Sequence, residues 1–129
     1  MTIEKMTPEQ IADTCERAAD LIEVGWQQGE WYSPEYKNMH GQTWPAKYCV
    51  EGALAAVLGI DPARLRSNGP GVTDLRRCEV YQAVAATVRR RGGVGIGYLP
   101  GWNDASNTTQ QEVLDVLHAT AKRVLGVDE

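Results

Sequence analysis

Residues 26–48 divide this chain into two unequal parts, and they read WQQGEWYSPEYKNMHGQTWPAKY. The stretch holds six of the nine Trp and Tyr residues in the sequence. Two glycines and two prolines interrupt any helical repeat in it, because glycine is flexible and proline lacks an amide donor. These helix breakers are Gly29, Pro34, Gly41 and Pro45. We therefore predict an irregular aromatic insertion between two helical regions.

The two ends of the aromatic insertion have the composition of short strands. Trp26–Tyr32 and Trp44–Tyr48 are rich in aromatic side chains, which are common in β-structure. We predict that they pair as a short β-hairpin with a long polar tip. The long tip counts against this interpretation, because most hairpin loops have only two to five residues.

A helix precedes the aromatic insertion, and its start and end are both marked in the sequence. Thr7 is a suitable N-cap, Pro8 suits the first helical position, and Gln10 completes a capping box. Apolar residues then recur at helical spacing until Gly25, which ends the helix. They are Ile11, Cys15, Ala18 and Ile22.

Three further helices are predicted after the insertion. The second runs from about Ala46 to Leu58 and is apolar on nearly all sides, which indicates a central position. The third begins at Thr73 and ends near Arg91, and the fourth begins at Thr108 and ends near Leu125. The predicted fold is mainly α: about four helices form one compact domain over residues 1–129.

The segments that connect the predicted helices after the insertion carry local structure of their own. Asp61–Arg66 is expected to form a turn or a short helix, and Val94–Pro100 an extended segment weakened by glycine. Trp102–Asp104 is expected to form a turn in which the Trp ring fills the core and the polar side chains bond the backbone.

Composition excludes several classes of protein. A chain of 129 residues with 43% hydrophobic and 23% charged residues is typical of a globular domain. The formal net charge of −4 disfavours a dedicated duplex-binding protein. Three cysteines without a CxxC pair fit reduced thiols in a cytoplasm. We expect neither a signal peptide nor a membrane-spanning segment.

Four segments of the chain form a recognisable set. They are Gly25-Trp-Gln-Gln-Gly29, Cys49-x-x-Gly-Ala-Leu54, Trp102-Asn-Asp104, and a last helix headed by Thr108 that carries Val113, Leu117 and Ala121. The set resembles a family of small uncharacterised proteins, a domain of unknown function found in actinobacteria and the phages that infect them. The resemblance implies no established activity, cofactor or partner. It does imply a phage or actinobacterial cytoplasmic origin.

Cys49 is the strongest candidate for chemistry. It is expected in the first turn of a helix, where free amide groups favour a thiolate. His118 would be the base, with Asp104 or Asn103 to orient it. The alternative is that Cys49 packs among the small apolar residues that follow it. With only His40 and His118, we predict no metal site, and the glycine-rich segment 91–97 lacks the context of a nucleotide loop, so no cofactor is expected.

Arginines are concentrated at the end of the third predicted helix. Arg89, Arg90 and Arg91 follow Arg76 and Arg77 on the same element. The helix dipole explains part of this placement. The alternative is contact with an acidic protein or with nucleic-acid phosphates.

The aromatic insertion itself is the leading candidate for a binding surface. Trp31, Tyr32, Tyr36 and Trp44 alternate with polar residues, as in adaptable contact loops. Packing of the insertion against the helices is the competing interpretation. We predict a non-enzymatic protein, a monomer or homodimer, that binds a host protein through these rings, with Arg89–Arg91 as a charged rim. The alternatives are a cysteine-dependent hydrolase or transferase and a nucleic-acid contact.

Overall fold

A computed structural model describes residues 5–92 and 99–127. Within these ranges the chain is mainly helical, with one small antiparallel hairpin between the first two helices. The helices are α1 Pro8–Val24, α2 Val50–Val57, α3 Pro70–Arg77, α4 Glu79–Arg90, α5 Leu99–Asn103 and α6 Gln110–Val124, with a 3₁₀ turn at Pro62–Arg64. The strands are β1 Tyr32–Ser33, β2 Tyr36–Lys37, β3 Thr43–Trp44 and β4 Lys47–Tyr48.

Helix α1 forms as its sequence predicts. The Thr7 hydroxyl accepts the Gln10 amide, and the Gln10 side chain accepts the Thr7 amide, so the capping box is complete. The apolar stripe that includes Cys15, Ala18 and Ile22 is fully buried. This stripe packs α1 against α6, α2 and α4, and the main core lies between these helices.

Helix α2 is central, also as predicted, and its first six residues are all buried. Gly52 permits a close approach to the aromatic insertion: a Cβ atom there would lie 1.9 Å from the Trp31 carbonyl oxygen. The Cys49 amide donates to the same carbonyl over 3.2 Å. A side chain at position 52 would therefore separate α2 from the insertion.

The predicted start of the second helix and the predicted third helix are both wrong. Helix α2 begins at Val50 because Lys47 and Tyr48 belong to strand β4. The predicted third helix is two helices, because Cys78 adopts an extended conformation (φ −67°, ψ 142°) between α3 and α4. The predicted count of about four helices is therefore too low.

Two predicted helix caps are also corrected. Thr73 lies inside α3 and donates to the carbonyl of Gly69, which is the actual N-cap. Helix α6 is capped by Thr109, which accepts the Glu112 amide, while the Thr108 hydroxyl donates to the Trp102 carbonyl. Thr108 therefore stabilises the preceding turn. Most of the predicted extended segment Val94–Pro100 lies outside the described residues, and its last two positions begin α5.

The hairpin is confirmed with a shorter tip than predicted, but its first strand lies further along the chain. Only Tyr32 of the predicted strand Trp26–Tyr32 is in a strand, and Trp26 forms an isolated parallel bridge with Tyr48. Tyr32 pairs with Tyr48, and four residues further along β2 begins, where Tyr36 pairs with Trp44. The two strand pairs β1–β4 and β2–β3 therefore keep the same antiparallel register from the helices to the tip. The Asn38 amide then donates to the Gln42 carbonyl over 2.9 Å, so the tip is closed by five residues rather than by a long polar loop.

Candidate functional site: the aromatic hairpin

The base of the hairpin is attached to the core through one buried carboxylate. Glu51, the second residue of α2, has no exposed surface. Its oxygens accept the Trp31 indole N–H at 2.6 Å, the Tyr81 hydroxyl at 2.8 Å and the Arg76 guanidinium Nε at 3.1 Å. Donors therefore surround the carboxylate, as burial of a charge requires.

The same cluster reaches the start of α5. The Tyr81 oxygen accepts the backbone amide of Leu99 at 3.3 Å while its proton is directed to Glu51. Burial, together with the neighbouring carboxylate, raises the pKa of Tyr81 above its usual value. Tyr81 therefore remains a neutral hydroxyl donor, and the Glu51 cluster joins α2, α3, α4 and α5 to Trp31.

A second buried side chain, Asn103, holds the segment that precedes the hairpin. Its oxygen accepts the Trp26 indole N–H at 2.9 Å and the Val50 amide at 3.0 Å. Its side-chain nitrogen donates to the Gln27 carbonyl and to Asp104. Asn103 is fully buried, and both ends of its carboxamide are hydrogen-bonded, as burial of a polar group requires; the bond to Val50 is buried and the other three are partly buried.

The residues beside Asn103 have the structural roles predicted for them. Trp102 is 8% exposed and contributes its ring to the core. The Asp104 carboxylate accepts the Gly29 amide at 2.9 Å and so fixes the turn before the hairpin. Trp102–Asp104 lies at the end of α5 and just beyond it, and it binds the insertion to the helices.

The outer half of the hairpin is exposed. The Tyr36 and Trp44 rings contact each other at a tilt of 38° with their centres 5.6 Å apart, yet they are 60% and 43% exposed. Nearer the helices, the Tyr32 and Tyr48 rings lie 5.2 Å apart and are half-buried. Because alternate residues of a strand share a face, these four rings form one stripe along the hairpin. We call them the aromatic stripe.

The opposite face of the hairpin is polar. Ser33, Glu35, Lys37, Thr43 and Lys47 occupy the alternate positions of the same register. At the tip, the Asn38 carboxamide oxygen accepts the amides of His40 and Gln42, and the intervening Met39 is 92% exposed. The hairpin thus presents an aromatic face and a charged face to solvent.

The four rings predicted as binding residues do not share one environment. Trp31 is half-buried and donates to Glu51, so it belongs to the base. Tyr32 is also half-buried, whereas Tyr36 and Trp44 are exposed. Packing therefore describes the inner part of the hairpin, whereas the outer rings Tyr36 and Trp44 are open to solvent.

Cys49 is buried, which agrees with the packing interpretation and not with the reactive one. It is the N-cap of α2, and its sulfur accepts the Gly52 amide at 3.4 Å. Burial outweighs the helix-terminal donors and raises the pKa of the thiol to about 12. The residue is 3% exposed and borders a cavity of about 250 Å³ that Asp104 and Trp31 also line.

The structure brings Cys49 and Asp104 to one cavity and places His118 with a different partner. His118 lies on α6, where its Nδ1 atom is 3.0 Å from the Glu16 carboxylate of α1. Cys49 lies at the start of α2 and has the Gly52 amide as its donor. These contacts therefore do not join Cys49 to His118 as the predicted nucleophile and base.

The arginines divide into two groups. Arg76 pairs with buried Glu51, while Arg89, Arg90 and Arg91 are exposed at the end of α4. Arg91 lines a cavity of about 360 Å³ that also includes Glu112 of α6. Among the described residues, no group of three or more His, Cys, Asp or Glu side chains is placed to hold a metal ion, and no helix is long and apolar enough to cross a bilayer.

The fold and site define a small, mainly helical protein whose aromatic hairpin is held against the helices by two buried polar side chains, Glu51 and Asn103. The chain belongs to a family of unknown function, DUF6197, whose pattern covers residues 6–123. This span includes both the hairpin and the Glu51 and Asn103 clusters. Neither the curated proteins nor the solved structures contain a match to the chain.

Sequence reasoning missed Glu51, which organises the base of the hairpin, whereas it did expect the Asn103 side chain to bond the backbone. Glu51 carried a usable signal, since it is the one charged residue in the apolar run Cys49–Ile60. Such a residue must find donors when the helix is central. Its partners Trp31, Arg76 and Tyr81 are 20 to 30 residues away, so spacing along the sequence did not connect them.

Proposed function

We propose that this protein is a non-enzymatic binding protein that contacts another protein through the outer half of the aromatic hairpin. Tyr36 and Trp44 are the main contact residues, and Met39 extends the surface at the tip. From the resemblance to proteins of actinobacteria and their phages, we infer that the partner is a host protein in the cytoplasm.

The observation that carries this proposal is the exposure of two contacting aromatic rings, Tyr36 and Trp44, on a fixed support. Tyr36 and Trp44 leave much of their ring surface in water, although apolar surface of this kind is usually buried. The base below them is fixed by the Trp31–Glu51 bond and by Asn103. Large side chains held in place lose little conformational freedom on binding, which favours their use as interface anchors.

Affinity capture from an actinobacterial lysate tests this proposal. The bait proteins are the natural chain, the double variant Tyr36→Ser/Trp44→Ser, and the control Lys37→Ser on the opposite hairpin face. We expect a partner retained by the natural chain and the control to be lost from the double variant by at least tenfold. Equal recovery on all three baits would exclude the aromatic face.

A cysteine-dependent enzyme is the second candidate, because Cys49 and Asp104 share a cavity. The raised pKa and the burial of the thiol oppose it. Iodoacetamide labelling of the native protein at pH 8, followed by mass spectrometry, separates the two functions. We expect Cys49 to be labelled only after denaturation; rapid native labelling would support the enzyme.

A nucleic-acid contact through Arg89, Arg90 and Arg91 is the third candidate, supported by the exposure of all three residues. It predicts binding that weakens steeply as salt is raised. Fluorescence anisotropy with a labelled single strand and a labelled duplex, between 50 and 200 mM salt, measures this directly. We expect no binding at the higher salt concentration, since the chain is acidic overall.

A further inference from the structure

The hydrogen-bonding pattern near the hairpin tip shows which main-chain groups face outward. The Asn38 amide donates to the Gln42 carbonyl over 2.9 Å, so these two residues occupy a bonded position of the ladder. Bonded and non-bonded pairs alternate along antiparallel strands, so the next pair, Lys37 and Thr43, is a non-bonded pair. The amide and carbonyl groups of Lys37 and Thr43 therefore point away from each other, toward the two outer edges of the hairpin.

The two edges of the outer hairpin differ in what they can bond. On one edge, Glu35 lies two positions before Lys37, so both residues direct an amide and a carbonyl outward. On the other edge, Pro45 lies two positions after Thr43 and has no amide to donate. Among the described residues, none bonds the main chain of Glu35. Residues 35–37, which we call the open edge, are therefore available to pair with a further strand.

The open edge carries one charge of each sign. Glu35 and Lys37 are exposed, and they lie on the hairpin face opposite Tyr36. Neither takes part in an ion pair within the described part of the chain. Because Tyr36 lies midway between them, an antiparallel second copy of this edge places Glu35 opposite Lys37 of the partner subunit. Lys37 is then opposite Glu35 of the partner subunit, so the open edge is complementary to itself in charge.

We propose that two copies of the chain associate through the open edge, about a two-fold axis that passes beside Tyr36. The two hairpins then form one four-stranded antiparallel sheet, in which Glu35 and Lys37 of each subunit exchange main-chain hydrogen bonds with the other subunit. The same pairs place opposite charges directly across the strands, which stabilises antiparallel pairing. On the other face of the sheet, Tyr36 lies beside Tyr36 of the partner subunit.

This inference goes beyond the proposed function, because the pairing uses the edge of the hairpin and leaves the ring faces of Tyr36 and Trp44 open. Two such ring pairs then lie side by side on one face of the sheet. The open edge is short, so the buried area falls below the roughly 800 Å² per partner that is typical of a stable complex. We therefore expect a weak dimer, populated only above about 0.1 mM of the chain.

Charge reversal at the two positions tests the self-complementarity. Glu35→Lys gives an edge with two cations and Lys37→Glu an edge with two anions, so like charges oppose each other in either homodimer. In sedimentation equilibrium, we expect each variant alone to dimerise at least tenfold more weakly than the natural chain. An equimolar mixture restores opposite charges at both positions, and we expect it to associate with the affinity of the natural dimer. Equal self-association of all three proteins, or a mixture that does not associate, would overturn the proposal.

A matched pair of proline variants tests the main-chain bonds. Lys37→Pro and Thr43→Pro each remove an amide that faces outward, and proline is tolerated at such edge positions. In proteins whose circular dichroism matches that of the natural chain, we expect Lys37→Pro to abolish dimerisation and Thr43→Pro to leave it unchanged. Lys37→Ser removes the same charge but keeps the amide, so it should dimerise more strongly than Lys37→Pro. Dimerisation of Lys37→Pro as strong as that of Thr43→Pro would contradict pairing at the open edge.

The same edge also fits an extended strand of another protein, and the measurements separate the two occupants. If the natural chain stays monomeric while Lys37→Pro loses capture of the partner protein, the edge binds a strand of that protein and the dimer proposal fails. If self-association follows the expected pattern while Tyr36→Ser/Trp44→Ser captures the partner normally, the dimer is supported and the proposed aromatic contact fails.

Discussion

The inner and outer halves of the aromatic hairpin have the same register and similar side chains, but different physical roles. At the base, Trp31 donates to a carboxylate with no exposed surface. In the outer half, Tyr36 and Trp44 contact each other and are largely open to water. The comparison shows that aromatic residues clustered in one segment can have two roles. Some attach the segment to the core, and others form the exposed surface that the attached segment presents.

The difference between the two halves arises from where each ring meets the helices. The Trp31 backbone lies against Gly52. Its carbonyl accepts the amide of Cys49, the N-cap of α2, and its indole N–H donates to Glu51 of α2. Tyr36 and Trp44 lie beyond Pro34 and Pro45, past the point where the strands leave the helices. Substitutions in the base should therefore affect stability, and substitutions in the outer half should affect binding.

The largest effect is expected from Glu51→Ala. Loss of the carboxylate leaves Arg76, Tyr81 and the Trp31 indole without their shared acceptor in the protein interior. We expect a decrease of about 3–5 kcal/mol in the free energy of unfolding, measured by urea titration. The control Glu35→Ala, on the exposed polar face, should change it by less than about 0.5 kcal/mol.

Gly52→Ala is expected to have the next largest effect. The added methyl group would overlap the Trp31 carbonyl and push the hairpin base away from α2. We expect a loss of about 3 kcal/mol. The control Gly71→Ala places its methyl group at an ordinary contact distance, 3.4 Å from the Ile60 and Leu65 side chains. A Gly52→Ala protein as stable as this control would contradict the close approach.

Trp31→Phe isolates the hydrogen bond at the base. It keeps an aromatic ring but removes one donor from the buried Glu51 carboxylate, so we expect a loss of about 2 kcal/mol. Trp44→Phe makes the same chemical change at an exposed ring and should be almost neutral. Equal thermal unfolding temperatures for the two variants would show that the indole N–H of Trp31 stabilises the fold no more than that of Trp44.

The smallest effect on stability is expected from Tyr36→Ser/Trp44→Ser. These rings contact each other and solvent, so their removal should lower the free energy of unfolding by less than about 1 kcal/mol. Circular dichroism with thermal unfolding measures this change on the same variant used for affinity capture. A loss as large as that of Trp31→Phe would mean that the outer half also supports the fold.

The features of the fold that depend on nearby residues were predicted correctly from the sequence. The α1 capping box joins residues three positions apart, and the central position of α2 follows from its continuous apolar run. The hairpin pairs residues of one short segment, with Tyr32 opposite Tyr48. The break at Cys78 was not predictable from periodicity, because apolar residues continue at helical spacing on both sides of it. The cap of α6 was misplaced by one residue because Thr108 and Thr109 are equally good caps by composition.

The candidate site was predicted less completely than the fold. The aromatic residues were identified from their concentration, but their division into anchor and surface depends on Glu51 and Asn103, which act over long sequence separations. The helical position of Cys49 suggested reactivity, whereas its burial depends on the packing of loops from elsewhere in the chain. Burial and distant pairing are properties of the folded chain that periodicity does not encode.

The buried carboxylate at position 51 also has a consequence for the order in which the chain folds. Its three donors are separated from it by 20, 25 and 30 residues on both sides, so no single helix or hairpin can satisfy it alone. Removing Glu51 from water before these donors arrive is unfavourable. We therefore expect the hairpin base to dock late in folding, and we expect amide hydrogens there to exchange with solvent only in global unfolding, whereas those near the tip should exchange through local opening.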